Sequence, residues 1–456
     1  MDVIQKNSSP RNPPASVGPA GTATAGEPPT TKAPRMPLVI LTTIALTLVA
    51  VLVALNFTTG EKKIEQHIAR LYSVGDPDFS RTMGVLLGPA ISSGNRFEAL
   101  LNGDRIFPAM LESIRGAKKS ITFETYIYWS ETIGKKFADA LAERSRAGVK
   151  VHVLLDWIGS SKMDPAHLSE MEQAGVQVRK FHPPRWYNLA RMNNRTHRKV
   201  LVVDGRIGFT GGVGIADQWT GDAQDPQHWR DTHFRVAGPV VAQMQAVFLD
   251  NWIKATGEVL HGEDYFPALH PAGTGAAQMF SSSPSGGSES MQLMYLLAIT
   301  AAQRSIHLSS SYFVPDALTL RSLTEAIKRG VKVQIITPGE HMDVETVRRA
   351  SRARWGDLLE AGAEIYEYQP TMYHCKMMIV DALWVSVGST NFDNRSFRVN
   401  DEANLNIYDG DFAARQIAHF LDDLSHSRRV SLNQWQQRPL VEKLWEHAAS
   451  LLGGQL

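Results

Sequence analysis

The 456-residue chain contains an internal repeat, and this repeat limits the possible folds more than any other feature. In the first half, Ala117–Phe123 and Arg146–Leu155 enclose a helical pattern, and Ala302–Leu308 and Lys328–Ile336 enclose a similar one in the second. In each half an apolar strand, an amphipathic helix closed by a glycine and a second apolar strand follow in that order. We therefore predict an α/β fold of two tandem units, each a mixed β-sheet flanked by helices, related by a pseudo-twofold axis.

Each half also carries one copy of the pattern HxKxxxxD. The candidate catalytic residues that it supplies are His197, Lys199, Asp204, His374, Lys376 and Asp381. Residues two apart on a strand project from the same face, so each copy should place one imidazole beside one ammonium group. Packing of two related halves about a pseudo-twofold axis should bring both pairs into one cleft.

Two histidine–lysine pairs in one cleft suit phosphodiester transfer. One histidine can attack phosphorus to form a phosphohistidine, while the other protonates the departing alcohol and later deprotonates the incoming one. An imidazole pKa of about 6.5 allows both roles around neutral pH. The lysines can neutralise the non-bridging oxygens as charge builds in the transition state. We therefore expect neither a metal ion nor any other cofactor.

Four further polar residues are candidate supporting groups. Asn391 and Ser389 can donate hydrogen bonds to phosphoryl oxygens. Asp231 follows the first motif and Glu402 follows the second, each in a strand-like context. Each of these acids can hold a histidine ring through its Nδ1–H, and a salt bridge at a strand edge is the alternative.

The motif aspartates Asp204 and Asp381 also have a structural interpretation. The pair Asp204-Gly205 is typical of a tight hairpin turn between two apolar runs. We therefore expect a structural role first and a catalytic role second for both aspartates.

The paired motifs resemble those of the phospholipase D superfamily, and the resemblance covers roughly Phe97 to Arg429. The segments that look like its bacterial cardiolipin synthase branch are Phe123–Tyr128, Thr196–Lys199, Phe209–Gly212 and Trp229–Thr232. The resemblance implies that His197 is the nucleophile and that His374 is the general acid and base. Gly214 departs from the pattern, since family members usually have Asn there, so the first half should lack one phosphate donor.

The remaining segments differ in composition. The predicted order is a disordered tail (1–36), a transmembrane helix (37–57), a juxtamembrane segment (58–95), two phospholipase D-like units (96–266 and 277–430) with a Pro/Gly/Ala-rich linker between them, and a C-terminal amphipathic helix (431–456). The tail has no aromatic residue and too little apolar surface to order itself. In the C-terminal helix, apolar residues at helical spacing favour packing on the core over docking on a membrane.

Residues 38–57 contain no charge and are apolar or Thr for almost their whole length. A helix needs roughly 20 such residues to cross a bilayer, so a spanning anchor is preferred over a cleaved signal peptide. Basic residues flank the segment about equally on both sides, which leaves open the side that carries the catalytic part. We expect a single-pass protein of the bacterial inner membrane.

Charge and cysteine content exclude some classes of protein. The formal charge of +1 gives no overall field that would attract nucleic acid, and a single cysteine, Cys375, excludes an internal disulfide framework. The strongest basic patch, residues 179–199, contains no acid and is interleaved with aromatic residues. This patch suits anionic lipid headgroups, the backbone and bases of a nucleic acid, or simply a solvated loop.

A membrane anchor favours a lipid substrate, because it keeps the cleft beside phospholipids at high effective concentration. With the resemblance, the predicted function is phosphatidyl transfer that forms cardiolipin from phosphatidylglycerol and releases glycerol. The predicted partners are this phospholipid and the bilayer, and no nucleic acid is expected. The alternatives are phospholipase D-type hydrolysis, phosphatidylserine synthase-like transfer, a nuclease or other phosphodiesterase, and a non-catalytic membrane scaffold. The acceptor alcohol and the oligomeric state stay open.

Overall fold

The computed structural model describes residues 36–58, 64, 66–183, 193–284 and 291–451. The predicted disordered tail lies outside the described residues, apart from Met36. The chain separates into two compact parts, which we call the N-terminal unit (Met1–Val51) and the main unit (Leu52–Leu456).

The N-terminal unit contains most of helix α1, Met36–Thr58. The helix has no charged residue, and nearly all of its described side chains are exposed. Met36–Ala54 is long and apolar enough to cross a membrane. The predicted membrane-spanning segment is therefore helical, with one more residue at each end than the sequence pattern indicated.

In the described part of the main unit, fifteen strands form one continuous mixed sheet. The strands of the first half are β1 (Ser92–Leu101), β2 (Ser120–Thr125), β3 (Lys150–Asp156), β4 (Gln177–Phe181), β5 (Val200–Val203), β6 (Ile207–Gly211) and β7 (Thr232–Ala237). Those of the second half are β8 (Gly275–Ser282), β9 (Ser305–Ser310), β10 (Phe313–Val314), β11 (Lys332–Pro338), β12 (Glu364–Tyr368), β13 (Lys376–Val380), β14 (Trp384–Gly388), β15 (Phe392–Asp393), β16 (Glu402–Tyr408) and β17 (Ser427–Val430). Strands β10 and β15 pair with each other, outside the large sheet.

The two halves of the sheet have corresponding strand orders. From the centre outward, the first half runs β1-β7-β6-β5-β2-β3-β4 and the second runs β8-β16-β14-β13-β9-β11-β12-β17. The central neighbours β1 and β8 are antiparallel. In each half the three strands β2-β3-β4 or β9-β11-β12 are parallel, and the other neighbours are antiparallel. The prediction of two related mixed-sheet units is confirmed, and the structure adds that their sheets join into one.

Helices cover both faces of this sheet. They are α2 (Pro77–Leu86), α3 (Asn102–Gly116), α4 (Thr132–Arg146), α5 (Pro165–Gln173), α6 (Val241–Thr256), α7 (Met291–Ala301), α8 (Ala317–Lys328), α9 (Glu345–Ala353), α10 (Gly356–Ala361), α11 (Asn394–Arg398), α12 (Gly410–Ser425), α13 (Leu432–Gln436) and α14 (Leu440–Ser450). Gly148 and Gly330 follow α4 and α8 at φ angles of 87° and 95°, a left-handed conformation that glycine adopts at low cost. The predicted closing glycines are therefore confirmed.

Three apolar clusters hold the strands and helices together. One lies under α3 and α4 in the first half and includes Phe137, and a second lies under α7 and α8 in the second half and includes Leu323. The third contains residues of both halves, among them Val202, Phe234 and Leu405. Burial of one such side chain contributes roughly 1.5–3 kcal/mol. Apolar packing in the third cluster therefore sets the position of one half against the other.

Part of the predicted juxtamembrane segment belongs to the body of the main unit. Helix α2 buries Phe79 and Met83 in the core of the second half. The Gln278 side chain of β8 donates hydrogen bonds to the carbonyls of Met83 and Pro89, at 3.1 Å and 2.9 Å. Strand β1 also begins inside this segment, at Ser92. The predicted boundary at residue 96 therefore cuts through a strand.

The C-terminal segment differs from the prediction in two ways. It forms two helices, α13 and α14, because Pro439 precedes the second helix and cannot continue the first. The expectation that its apolar residues pack on the core is wrong, since the large apolar side chains of α14 are exposed. The reason is that α14 contacts the body through its other side.

Candidate active site

Each motif histidine lies just before a strand, in a segment that pairs with the opposite half. Strands β5 and β13 begin only after the histidines. The His197 N–H donates to the Asp401 carbonyl at 2.9 Å. The His374 N–H donates to the Arg230 carbonyl at 2.7 Å. The expectation that the histidines project from the strands themselves is corrected, because backbone hydrogen bonds across the two halves hold them instead.

Each imidazole also contacts a carboxylate from the opposite half. His197 Nδ1 lies 3.0 Å from both carboxylate oxygens of Glu402. His374 Nδ1 lies 2.6 Å from Asp231 Oδ2. In both pairs a neutral ring that keeps its proton on Nδ1 donates to the carboxylate and carries its lone pair on Nε2. Each acid thus contacts the histidine of the opposite half, which the order of the residues along the chain did not indicate.

Each lysine lies beside its own histidine and is buried. Lys199 Nζ donates to the His197 carbonyl at 2.7 Å. Lys376 Nζ donates to Ser311 Oγ at 2.7 Å and lies 3.2 Å from His374 Nε2. An ammonium group therefore accompanies each imidazole.

The two histidines line a single cleft of about 270 Å³. Its wall also contains Lys199 and Asn391. Further charged residues of the wall are Arg195, Arg395, Asp343 and Asp393. Both imidazoles therefore border the same cavity, and a two-histidine transfer at one phosphorus atom requires this arrangement.

Aromatic rings pack against both imidazoles. The Tyr126 ring centroid lies 5.1 Å from that of His197. The Trp219 and Trp229 centroids lie 5.2 Å and 5.4 Å from that of His374. These rings were not among the predicted site residues. Tyr126 and Trp229 fall in segments that carry the family resemblance, which was an available signal, whereas nothing in the sequence singled out Trp219.

Burial changes the protonation of the site. It lowers the pKa of His197 to about 4, and burial together with the charge of Lys376 lowers the pKa of His374 to about 3. Burial likewise lowers the pKa of Lys199 to about 7. At neutral pH, both imidazoles are therefore neutral before substrate binds, and the ammonium of Lys199 is close to losing its proton.

The motif aspartates lie at the hairpin turns after β5 and β13, at φ angles of 53° and 54°. Neither is among the described residues that line the cleft. The backbone N–H groups that donate to their carboxylates are those of Lys118, Lys119 and Ser120 for Asp204, and of Gln303, Arg304 and Ser305 for Asp381. These hydrogen bonds connect each motif to the start of the neighbouring strand, which is the kind of structural role expected first for both aspartates.

Ser389 and Asn391 have different surroundings. The Ser389 hydroxyl donates to Glu402 Oε2, and Ser389 is not among the described residues that line the cleft. Its expected role as a phosphoryl donor is therefore corrected to support of the acid. Asn391 does line the cleft, and its buried Oδ1 has no hydrogen-bond partner in the part of the chain that the structure describes.

Gly214 occupies the first-half position that corresponds to Asn391. A Cβ atom at Gly214 would lie 2.7 Å from Ile127 Cβ and 3.1 Å from a ring carbon of Trp219. The same indole donates from Nε1 to Asp231 Oδ2 at 3.1 Å. Trp219 and Ile127 therefore fill the space that a side chain at position 214 would need.

Two buried arginines lie next to site residues. Arg198 Nη2 lies 3.0 Å from Asp250 Oδ2, and Arg230 Nε lies 2.8 Å from Asp423 Oδ1. Arg198 is only 1% exposed, so the predicted basic patch is not one continuous surface. Residues 184–192 of that patch lie outside the described residues.

The chain is similar to known proteins over most of its length. Residues 110–252 and 295–424 match the family described as cardiolipin synthase, PLD-like domain. The chain is 36% identical over 365 residues to a cardiolipin synthase of Geobacillus kaustophilus (strain HTA426), with 79% of this chain and 72% of that protein covered. It is 35% identical to cardiolipin synthase 2 of Bacillus anthracis, with 79% of this chain and 71% of the relative covered.

A solved structure has the same fold at much lower sequence identity. The phosphatidylserine synthase of Haemophilus influenzae Rd KW20 superposes with a TM-score of 0.62 at 14% identity, over 79% of this chain and 95% of that one. The fold and the paired motifs define a phosphatidyltransferase of the phospholipase D type. Within that class, the chain belongs to the cardiolipin synthase family.

Proposed function

We propose that the chain forms cardiolipin by transferring the phosphatidyl group of one phosphatidylglycerol molecule to a second. His197 Nε2 attacks the phosphorus atom of the donor lipid, the P–O bond to glycerol breaks, and protonated His374 gives its proton to the departing glycerol oxygen. His374 then takes the proton of a hydroxyl group of the second lipid, and that oxygen attacks the phosphohistidine. The P–N bond breaks, cardiolipin forms and neutral His197 is restored.

The observation that carries this proposal is the position of the two imidazoles in one cleft, each with its Nδ1 on a carboxylate. Lys199 and Lys376 supply positive charge where the non-bridging oxygens become more negative in the transition state. Asn391 adds a hydrogen-bonding group to the same wall. The relatives named cardiolipin synthase support the choice of lipid.

His374 has to take up from solvent, when the substrate binds, the proton that it gives to the departing glycerol. The pKa of His374 is lowered to about 3 by burial and by the charge of Lys376, so this ring is neutral at neutral pH before a lipid binds. A phosphodiester anion beside the ring favours its charged form and raises its pKa. Substrate binding and protonation of His374 are therefore coupled in this proposal, and the pKa of Lys199 rises for the same reason.

We also propose that the enzyme is a single-pass protein of the bacterial inner membrane, with α1 as its anchor. The uncharged, apolar composition and the length of α1 support this assignment. Phosphatidylglycerol is a membrane lipid, so an anchored enzyme meets its substrate at high effective concentration.

Lipid analysis of a cardiolipin-deficient bacterial host tests the proposal. Expression of the full chain should restore cardiolipin, and His197→Ala should not. His270→Ala removes an exposed histidine outside the cleft and is the matched control, so it should behave as the unchanged chain does. Unchanged cardiolipin would contradict the proposal. Accumulation of phosphatidic acid or phosphatidylserine instead would identify hydrolysis or serine transfer, and DNA cleavage without lipid turnover would identify a nuclease.

A further inference from the structure

Helix α14 is amphipathic, and it faces the body of the protein with its charged side. Glu446 is 1% exposed. Its carboxylate lies 3.2 Å from Arg352 of α9 and 2.9 Å from Arg438. Ala449 is also buried and packs in a small apolar cluster with Val347. The helix is therefore attached to the main unit through ion pairs and a narrow apolar contact.

The opposite side of α14 carries large apolar side chains that are exposed. They are Leu440 at 77%, Val441 at 65%, Leu444 at 70%, Trp445 at 60% and Leu451 at 76% exposure. Successive residues of a helix are rotated by about 100°, which puts these positions on one stripe facing away from Glu446. We call this set of residues the apolar stripe. A surface helix whose outer side contacts only water normally exposes its charged side and buries its apolar side. Helix α14 does the opposite, so the apolar stripe indicates a docking surface.

The apolar stripe is one helix away from the candidate active site. Val344 lines the cleft, and α9 begins at the next residue, Glu345. Helix α14 lies along α9, and Glu345 and Trp445 line the groove between the two helices. The cluster around Ala449 also includes Tyr312, which lines the cleft. A surface that contacts the apolar stripe is therefore close to the cleft.

The residues around the apolar stripe are basic. Residues 345–354 and 427–451 together contain eight Lys and Arg but three Glu. Arg428 and Arg429 have side chains that are 57% and 60% exposed, and they pair with Glu367 and Glu364. With these two acids included, the surround keeps an excess of three positive charges, eight Lys and Arg against five Glu. Helices that lie in the interface of an anionic membrane have a similar composition, with large apolar residues, often Trp, next to basic residues.

We propose that the apolar stripe docks on the surface of an anionic phospholipid bilayer and presents the cleft to the lipid there. Leu440, Leu444 and Leu451 enter the boundary between headgroups and acyl chains, and Trp445 lies at the depth that indoles prefer. The apolar stripe then determines which face of the main unit meets the bilayer. The inference rests on the proposed function only in taking a phospholipid as the substrate.

A fluorescent label on the stripe tests the contact in the full chain. Cys375→Ala removes the one native thiol, and Leu444→Cys then receives an environment-sensitive dye. The protein is reconstituted in phosphatidylglycerol vesicles that contain a lipid-borne nitroxide quencher. We expect blue-shifted emission and strong quenching at position 444, and weak quenching at Lys135→Cys, an exposed control position on α4. Equal quenching at both positions, or a blue shift at 444 without quenching, would overturn the proposal, the second result indicating a protein neighbour.

An activity ratio separates this inference from the proposed function. Leu444→Gln combined with Trp445→Gln should lower turnover of vesicle lipid more than turnover of the same lipid in detergent micelles. Leu421→Gln changes an exposed apolar residue of α12 and should leave the ratio as it is. An equal loss in both assays would contradict the docking role. Absence of cardiolipin formation by the unchanged chain in both assays would instead refute the proposed function, while the quenching experiment would still decide the docking.

Discussion

The cleft contains two half-sites that share one plan and differ in their surroundings. The first half-site is His197 with Lys199 and Glu402, and the second is His374 with Lys376 and Asp231. In both, the backbone and the ring of the histidine are held by the opposite half of the main unit. Neither half can form a half-site alone.

The acids of the two half-sites are supported differently. Glu402 accepts a hydrogen bond from Ser389 and contacts His197 with both oxygens. Asp231 accepts from the Trp219 indole and contacts its histidine with one oxygen. Gly212 corresponds to Ser389, and a Cβ there would lie 2.5 Å from Asp231 Oδ1. Because Gly212 has no side chain, the Asp231 carboxylate has room beside it.

The two halves have the same scaffold, but the chemical groups around their histidines differ. In the second half, Asn391 lines the cleft. The corresponding residue of the first half is Gly214, and the Trp219 indole occupies the space where its side chain would be. His374 lies against two indoles and His197 against one phenol ring. These differences fit the unequal roles proposed for the two histidines, namely acid–base catalysis and nucleophilic attack.

The largest expected effect comes from the acids. Glu402→Gln and Asp231→Asn keep the size of each side chain but remove the charge that orients the ring and stabilises its charged forms. Each should lower kcat by about 10²- to 10⁴-fold, as loss of an orienting carboxylate does elsewhere. Pre-steady-state kinetics should show slower phosphohistidine formation in Glu402→Gln. Asp231→Asn should slow both formation and breakdown of the phosphohistidine, because His374 transfers a proton in each step. Identical kinetic defects in the two variants would remove the distinction between the half-sites.

Substitution of the residues just before the two acids should lower the free energy of unfolding by different amounts. Arg230 precedes Asp231 and makes a close ion pair with Asp423, at 2.8 Å. Asp401 precedes Glu402, and its nearest cations are 3.8 Å away among the described residues. Loss of one partner of a buried pair costs about 3–5 kcal/mol, so Arg230→Gln should destabilise the main unit by that amount. Asp401→Asn should cost less, because the cations nearest to this carboxylate are farther away, at 3.8 Å.

Chemical denaturation in detergent measures both variants. A larger loss in Asp401→Asn than in Arg230→Gln would contradict the assignment of the stronger buried pair to the second half-site.

A smaller effect is expected when the missing amide is put back. Gly214→Asn adds atoms where Ile127 and Trp219 already lie, and overpacking of this kind costs about 1–3 kcal/mol. The variant should have a lower melting temperature and no gain in kcat/KM. The matched change Asn391→Gly should lower kcat/KM with little effect on the melting temperature. Higher activity in Gly214→Asn at unchanged stability would mean that the first half-site has room for the donor.

The smallest effect is a shift in pH dependence. Burial lowers the pKa of Lys199 to about 7, so the ammonium loses its proton as pH rises through that value and attracts the phosphodiester less. The kcat/KM value, which reports groups of the free enzyme, should therefore decline more steeply above a pH of about 7 than below it. Lys199→Arg keeps its charge and should move this decline upward by at least about one pH unit. A decline at the same pH in the variant would assign it to another group.

Much of this organisation could be predicted from the sequence, because the repeat places equivalent strands, helices and motifs in equivalent order. The pairing of Glu402 with His197 could not, since it depends on how the halves pack and both acids follow the motif of their own half. The contact of Trp219 with Asp231 arises from a loop approach with no sequence pattern. The outward face of α14 was also unpredictable, because helical spacing of apolar residues gives a stripe but not its direction.

Covalent trapping of the phosphatidyl group on a histidine tests whether the transfer passes through a phosphohistidine. The full chain is mixed with phosphatidylglycerol labelled at phosphorus, quenched in denaturant and digested, and the labelled peptide is identified by mass spectrometry. The proposed mechanism predicts an alkali-stable, acid-labile label on His197, which is absent from His197→Ala. His374→Ala should form the label more slowly, because His374 protonates the departing glycerol. A label on His374 alone, or turnover without any labelled histidine, would contradict this mechanism.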